Sequence, residues 1–217
     1  MNKVQDFLEK KLLPFAVKLA GQRHLAAIRD GFISFMPFLI IGSIFIIIQY
    51  FPAPGWQELQ TKLFGPGFNQ FIILPKRVTY DIMSIYIVAA VSYKLAQSYK
   101  IDAFSASLLG IASFILVTPI TTTIEIDNTV HTVEKVITVG GWYGTQGLLV
   151  ALLVAIISTE IFNYFIKKGI IIRMPEGVPP AVSRAFSALI PGFVVIVFML
   201  LVRLAFLQTP YGYIHDF

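Results

Sequence analysis

Five long apolar runs constrain this chain more than any other feature. They cover about residues 31–51, 78–93, 104–119, 145–166 and 185–207. A helix rises about 1.5 Å per residue, so about 20 residues cross the roughly 30 Å hydrocarbon core of a bilayer. The first, fourth and fifth runs are long enough. The second and third are short and cross only by borrowing flanking residues or by tilting against neighbours. The sequence is 56% hydrophobic and 13% charged, whereas a soluble domain carries about 25% charged residues. These observations predict an all-α integral membrane protein with about five transmembrane helices. A soluble protein with a very apolar core is the alternative reading.

The net charge of +5 does not require nucleic acid, because basic residues gather on the cytoplasmic side of membrane proteins. With the N-terminus inside, inner segments hold 12 of the 17 Lys and Arg residues and outer loops hold four. Arg203 lies near the outer end of the fifth run, where a long side chain can snorkel. This bias predicts a multi-pass membrane protein with its N-terminus cytoplasmic. There are no cysteines, which excludes disulfides and Cys-based metal sites. Residues 1–21 are charged throughout and lack the apolar core of a cleavable signal peptide.

In that segment Val4, Phe7, Leu8, Leu12, Phe15 and Leu19 recur at helical spacing, with Lys3, Asp6, Glu9 and Lys10 between them. This pattern predicts an amphipathic helix lying in the headgroup layer, or else a surface helix packed on protein. Residues 22–217 form the membrane part. The stretch YFPAPGW (Tyr50–Trp56) breaks the first helix with two prolines and places aromatics at interface depth. Between Thr121 and Val139 polar and apolar residues alternate around Asp127-Asn128, which predicts a short extracellular β-hairpin. His131 and Glu134 are two ligands without a third, so no metal site is expected.

Charges inside a bilayer cost about 2.5–3.5 kcal/mol and need partners or water. Glu160, in ISTEIFNYF, sits roughly 9 Å inside the inner end of the fourth run. It either contacts a water-filled pathway or makes a structural hydrogen bond between helices. Asp81 is expected to pair with Lys76 and Arg77. Gln146 opens the fourth helix after a bend carrying Gly140, Gly141, Gly144 and Gly147. Such a bend permits unusual backbone, which either meets a polar solute or only allows tight packing. With Trp142 and Asn128, Gln146 makes up the candidate substrate-binding set. No phosphate loop, zinc motif or nucleophile elbow is present, so no catalytic residue, metal or cofactor is expected. His24 reads as a structural hydrogen-bond donor.

Three segments carry a resemblance: GQRHLAAIRDGFISFMPFLIIGS (Gly21–Ser43), YKLAQSYKIDAFSASLLGIASFILVTP (Tyr93–Pro119), and Gly144–Phe193, which contains MPEGVPPAVSRAF (Met174–Phe186). Together they resemble the membrane IIC component of the bacterial sugar phosphotransferase system, in its lactose/cellobiose/diacetylchitobiose class. The likeness reaches the N-terminal half of such proteins. It implies a scaffold and dimerisation half, bathed in membrane lipid, whose second half carries re-entrant hairpins and the key His and Glu of the sugar site. It further implies uptake of a β-linked disaccharide (cellobiose, diacetylchitobiose or lactose type), which a cytoplasmic IIB partner then phosphorylates. A truncated, non-transporting membrane interaction module is the other reading. The final LQTPYGYIHDF reads as an outer loop leading onward. Arg23, His24, Arg29, Asp30, Glu160, Glu176, Pro179, Pro180 and Arg184 make up the candidate structural and cytoplasmic motif. In its Met174–Phe186 part, Pro175 ends any preceding helix, and Pro179-Pro180 suits the first turn of the next. Arg184 anchors that helix at the cytoplasmic face, and Pro191 is expected to kink it.

Overall fold

In a computed structural model, residues 21–126, 129–134 and 136–217 are described. The expected helix over residues 1–21 and the expected Asp127-Asn128 turn therefore lie almost wholly outside the described residues, as does Asn128. Two long helices frame the described residues, α1 (Arg23–Gln49) first and α8 (Pro180–Leu207) last. Between them come three short helices, α2 (Trp56–Phe64), α3 (Phe68–Ile72) and α4 (Leu74–Thr79). Then follow α5 (Met83–Tyr99), α6 (Ala103–Val117), a two-stranded sheet and α7 (Leu148–Lys167).

Prolines set the first boundary. In α1 the carbonyl of Ile48 would bond the amide of residue 52, but Pro52 has none. The orphaned oxygen instead accepts Trp56 Nε1–H and Gln60 Nε2–H, both at 2.7 Å. The interfacial aromatic expected at Trp56 is thus also a cap, folding α2 back onto the end of α1. Phe51 tilts against the same indole at 5.4 Å.

The second apolar run is displaced from its expected place. Residues 74–79 form their own short helix with Pro75 in its first turn. The long helix starts only at Met83 and continues through Lys94 and Gln97 to Tyr99. A proline favours a fresh helix start, and hydrophobicity alone does not register that break. α5 is the centre of the bundle, with α1, α6 and α7 packed around it and α8 against α6 and α7. Its Ser84, Ile87, Val88, Val91, Ser92, Leu95 and Ala96 are buried. The core adds Phe35, Phe114, Val150, Val154 and Tyr143. At Gly31 a β-carbon would lie 2.6 Å from Val91 Cγ2 and 3.2 Å from its amide nitrogen, so glycine sets how closely α1 approaches α5.

Three helical stretches are long and apolar enough to cross a membrane: Arg23–Gln49, Thr145–Lys167 and Pro180–Leu207. α6 is apolar but shorter, at 15 residues, and α5 has 17. Of the five expected spans, three therefore meet the length criterion among the described residues. The sheet pairs β1 (Thr121–Ile126) with β2 (Thr129–Glu134) antiparallel, from Thr121 opposite Glu134 to Ile126 opposite Thr129. α8 starts at Pro180 with Pro179 before it. Gly169 and Gly177, at φ 69° and 96°, turn the chain between α7 and that start.

Candidate functional site

The described residues build two polar clusters, one at each end of the bundle. The basic end carries the start of α1, the ends of α5 and α7, and the starts of α6 and α8. There Glu160 is not isolated. Its Oε1 accepts His24 Nε2–H at 2.8 Å and the Tyr99 hydroxyl. A carboxylate only accepts, so His24 carries its proton on Nε2. One oxygen thus joins α1, α5 and α7. The face of Tyr99 carries Arg23 at 4.5 Å and Lys167 at 4.6 Å, placements favoured by the ring quadrupole. Glu160 remains partly accessible, with its side chain 37% exposed.

The other members of the predicted motif do not join this cluster. Arg29 donates to Asp30 at 2.9 Å as an exposed neighbour pair. Glu176, Pro179, Pro180 and Arg184 lie exposed along the elbow and the first turns of α8.

At the opposite, hairpin end, the glycine-rich bend forms two short 3-10 turns, Gly141–Tyr143 and Thr145–Gly147. Gly140 N–H bonds the Asp81 carbonyl at 2.8 Å, and Ser84 Oγ–H bonds the Gly144 carbonyl at 2.5 Å. A β-carbon at Gly147 would collide with the Trp142 carbonyl. These contacts fasten the bend to the start of α5. Asp81 pairs with Lys76 at 3.0 Å, whereas Arg77 makes no ion pair among the described residues. Trp142 stacks on His215 at 4.9 Å, while Gln146 is exposed. Both residues stay on the same bend, with Gln146 Oε1 3.9 Å from where a β-carbon of Gly141 would lie.

Sequence reasoning missed the rest of this end. His215 Nε2 hydrogen-bonds Thr118 Oγ1 at 2.9 Å, and Phe114 meets both His215 and Tyr143 edge-on at 5.9 Å. Burial pushes the His215 imidazole down to about 4. Burial also pushes the Tyr143 phenol up, opposed by the nearby Arg203 guanidinium. Arg203 does not simply snorkel. It donates to the Leu116 carbonyl at 2.6 Å, an oxygen left open by the end of α6, and lies over Tyr213. A helix-terminal carbonyl followed by Thr118-Pro119 was the one available signal.

No group of three His, Asp or Glu side chains that could hold a metal occurs among the described residues. What the geometry provides is fixation. One polar cross-tie joins three helices at the basic end, and one aromatic clasp joins α6, the bend and the tail at the other.

Such a bundle, with three helices long and apolar enough to cross a membrane and polar ties at both ends, has the build of a membrane protein. The chain belongs to the family described as phosphotransferase system, EIIC, whose model matches residues 29–217. It is 43% identical over its whole length to the putative permease IIC component YwbA of Bacillus subtilis, covering 49% of that protein. It is 42% identical to the cellobiose-specific EIIC component of Geobacillus stearothermophilus, again over its whole length and 48% of that protein. The crystal structure of ChbC, the IIC component of the N,N'-diacetylchitobiose-specific phosphotransferase system, superposes with TM-score 0.91 at 46% identity, over 97% of this chain and 49% of ChbC. The chain spans about half the length of the curated relatives it matches.

Proposed function

We propose that this chain is the scaffold and dimerisation half of a phosphotransferase-system permease in a bacterial cytoplasmic membrane. It serves uptake of a β-linked disaccharide of the cellobiose, diacetylchitobiose or lactose type, which a cytoplasmic IIB partner phosphorylates. The observation that carries this reading is the match to ChbC over nearly the whole of this chain. α5 and α6 complete five crossings, shielded by α1, α7 and α8, and the basic end faces the cytoplasm. Dimerisation is supported by α1, where Ile33, Ile40 and Ile47 are 54%, 57% and 59% exposed at seven-residue spacing. Such a stripe on one helix suits a second helix as well as lipid.

Uptake of a labelled β-linked disaccharide is the test, in cells carrying this chain with and without the second half of a relative. Uptake is expected only with both halves. Uptake by this chain alone would overturn the scaffold assignment, and failure with both would favour a non-transporting interaction module. Accessibility of a cysteine placed at Lys168 tests the orientation, because labelling from outside contradicts it.

A further inference from the structure

The basic end holds a second polar feature, separate from the Glu160 cross-tie. A cavity of about 470 Å³ opens between the starts of α6 and α8, with Lys100, Asp102 and Arg184 on its wall. A neighbouring cavity shares Asp102 and Arg184. Neither Lys100 nor Arg184 has an acidic partner among the described residues. Asp102 is already engaged, accepting Ser105 Oγ–H at 2.5 Å. Two cations and one carboxylate leave this wall with one surplus positive charge.

Lys100 is also costly where it stands. It ends α5 in the left-handed conformation at φ 60°, and it is the only non-glycine with positive φ among the described residues. Glycine fits such a position more cheaply. Local backbone preference therefore does not explain a lysine there.

The apolar side of the cavity continues along the helices. Ala188 lies on its wall and also on that of an open groove between α6 and α8, lined by Leu108, Leu109, Leu189 and Phe193. Gly192 keeps this groove clear, since a β-carbon there would sit 3.2 Å from Leu109 Cδ2. Leu189 and Phe193 are 54% and 67% exposed.

A cationic head cavity running into an apolar groove fits an amphiphile with a single negative charge. We infer that this is a phospholipid site, with the phosphodiester at Lys100 and Arg184 and an acyl chain along α6 and α8. The surplus charge of the wall balances that of one phosphodiester, and basic pockets between membrane helices take such headgroups. The inference rests on the membrane placement proposed above.

The test uses the protein at its natural length, purified in mild detergent, delipidated and followed by native mass spectrometry. Phosphatidylglycerol is titrated against a diacylglycerol with the same chains and against glycerol 3-phosphate. One phosphatidylglycerol per chain is expected, with neither control bound at equal concentration. Lys100→Gly with Arg184→Gln should weaken binding at least about tenfold, the scale of a lost charge-assisted contact. Lys100→Gly suits the backbone there, and Arg184→Lys should retain binding, which separates lost charge from lost fold. Gly192→Leu should also weaken binding while leaving both cations. Unchanged affinity in the double variant overturns the site, as does glycerol 3-phosphate binding as well as the lipid. A lipid-free dimer broken by Gly192→Leu would assign the groove to a second copy and also overturn it. Lost disaccharide uptake with lipid binding intact would count against the permease reading alone.

Discussion

Glu160→Ala removes the oxygen on which three helices meet. The loss can be worked from its two bonds. Hydrogen bonds to a charged acceptor contribute about 1.5–3 kcal/mol, and exposed ion pairs about 0.2–1 kcal/mol. His24 and Glu160 are 36% and 37% exposed at the side chain, so solvent screening holds their bond to the weak end of the scale, about 1 kcal/mol. The Tyr99 bond adds about 1.5 kcal/mol. Glu160→Ala is therefore expected to destabilise the bundle by about 2–3 kcal/mol. Glu160→Gln keeps a neutral acceptor for both donors and should cost about 1 kcal/mol. Equilibrium unfolding in mixed micelles measures both. A cycle with Tyr99→Phe should give a coupling of about 1 kcal/mol, since contacting residues are not additive. Equal stability of wild type, Glu160→Ala and Glu160→Gln, or a coupling near zero, would refute the cross-tie and return Glu160 to a solvent-facing role.

Three other perturbations follow from the same contacts. Gly147→Ala forces a β-carbon onto the Trp142 carbonyl and should cost about 1–3 kcal/mol as overpacking. Gly55→Ala, where nothing lies within 4 Å, should cost only about 1 kcal/mol for its left-handed backbone; unfolding midpoints compare the two. Arg203→Met leaves the Leu116 carbonyl without its charged donor and should lower stability by about 1.5–3 kcal/mol in the same assay. His215, with its pKa lowered from 6.5 to about 4, binds a proton more readily when unfolded. Its contribution is therefore full above pH 6.5 and falls as pH drops toward 4. His215→Gln should flatten that part of the pH–stability profile.

Helix-forming apolar runs were readable because burial and span length leave a direct mark on composition. Glu160 could be marked as needing a partner for the same reason. Its partners could not be named, because His24 and Tyr99 lie 136 and 61 positions away and one sequence does not encode which helices touch. The segment from Trp56 to Arg77 falls between the first two apolar runs and reads as an outer loop, although Trp56, Leu59, Gln60 and Leu63 recur at helical spacing. Short helices between prolines carry too little hydrophobicity to stand out against membrane runs. His215 was passed over because its surroundings are assembled from α6, the glycine bend and the tail. Trp142 stands out in the sequence as an aromatic beside a glycine bend, but its contact with the His215 imidazole could not be foreseen, because 73 positions separate the two.

The central position of α5 also sets a schedule for making the protein. α5 ends at Tyr99, but α7, which covers much of it, begins at Leu148. At about 5–20 residues per second, the ribosome needs roughly 2–10 s to deliver that partner. During this interval the helix that becomes the core has α1 available and gains α6 once Val117 is made, but α7 is still missing. Its Ser84 and Ser92, both fully buried in the finished bundle, then depend on the insertion machinery or on α1 and α6 for shelter from lipid. Slowed translation between residues 99 and 148 would lengthen that exposure, and would make the interior helix the one most vulnerable to quality-control proteolysis.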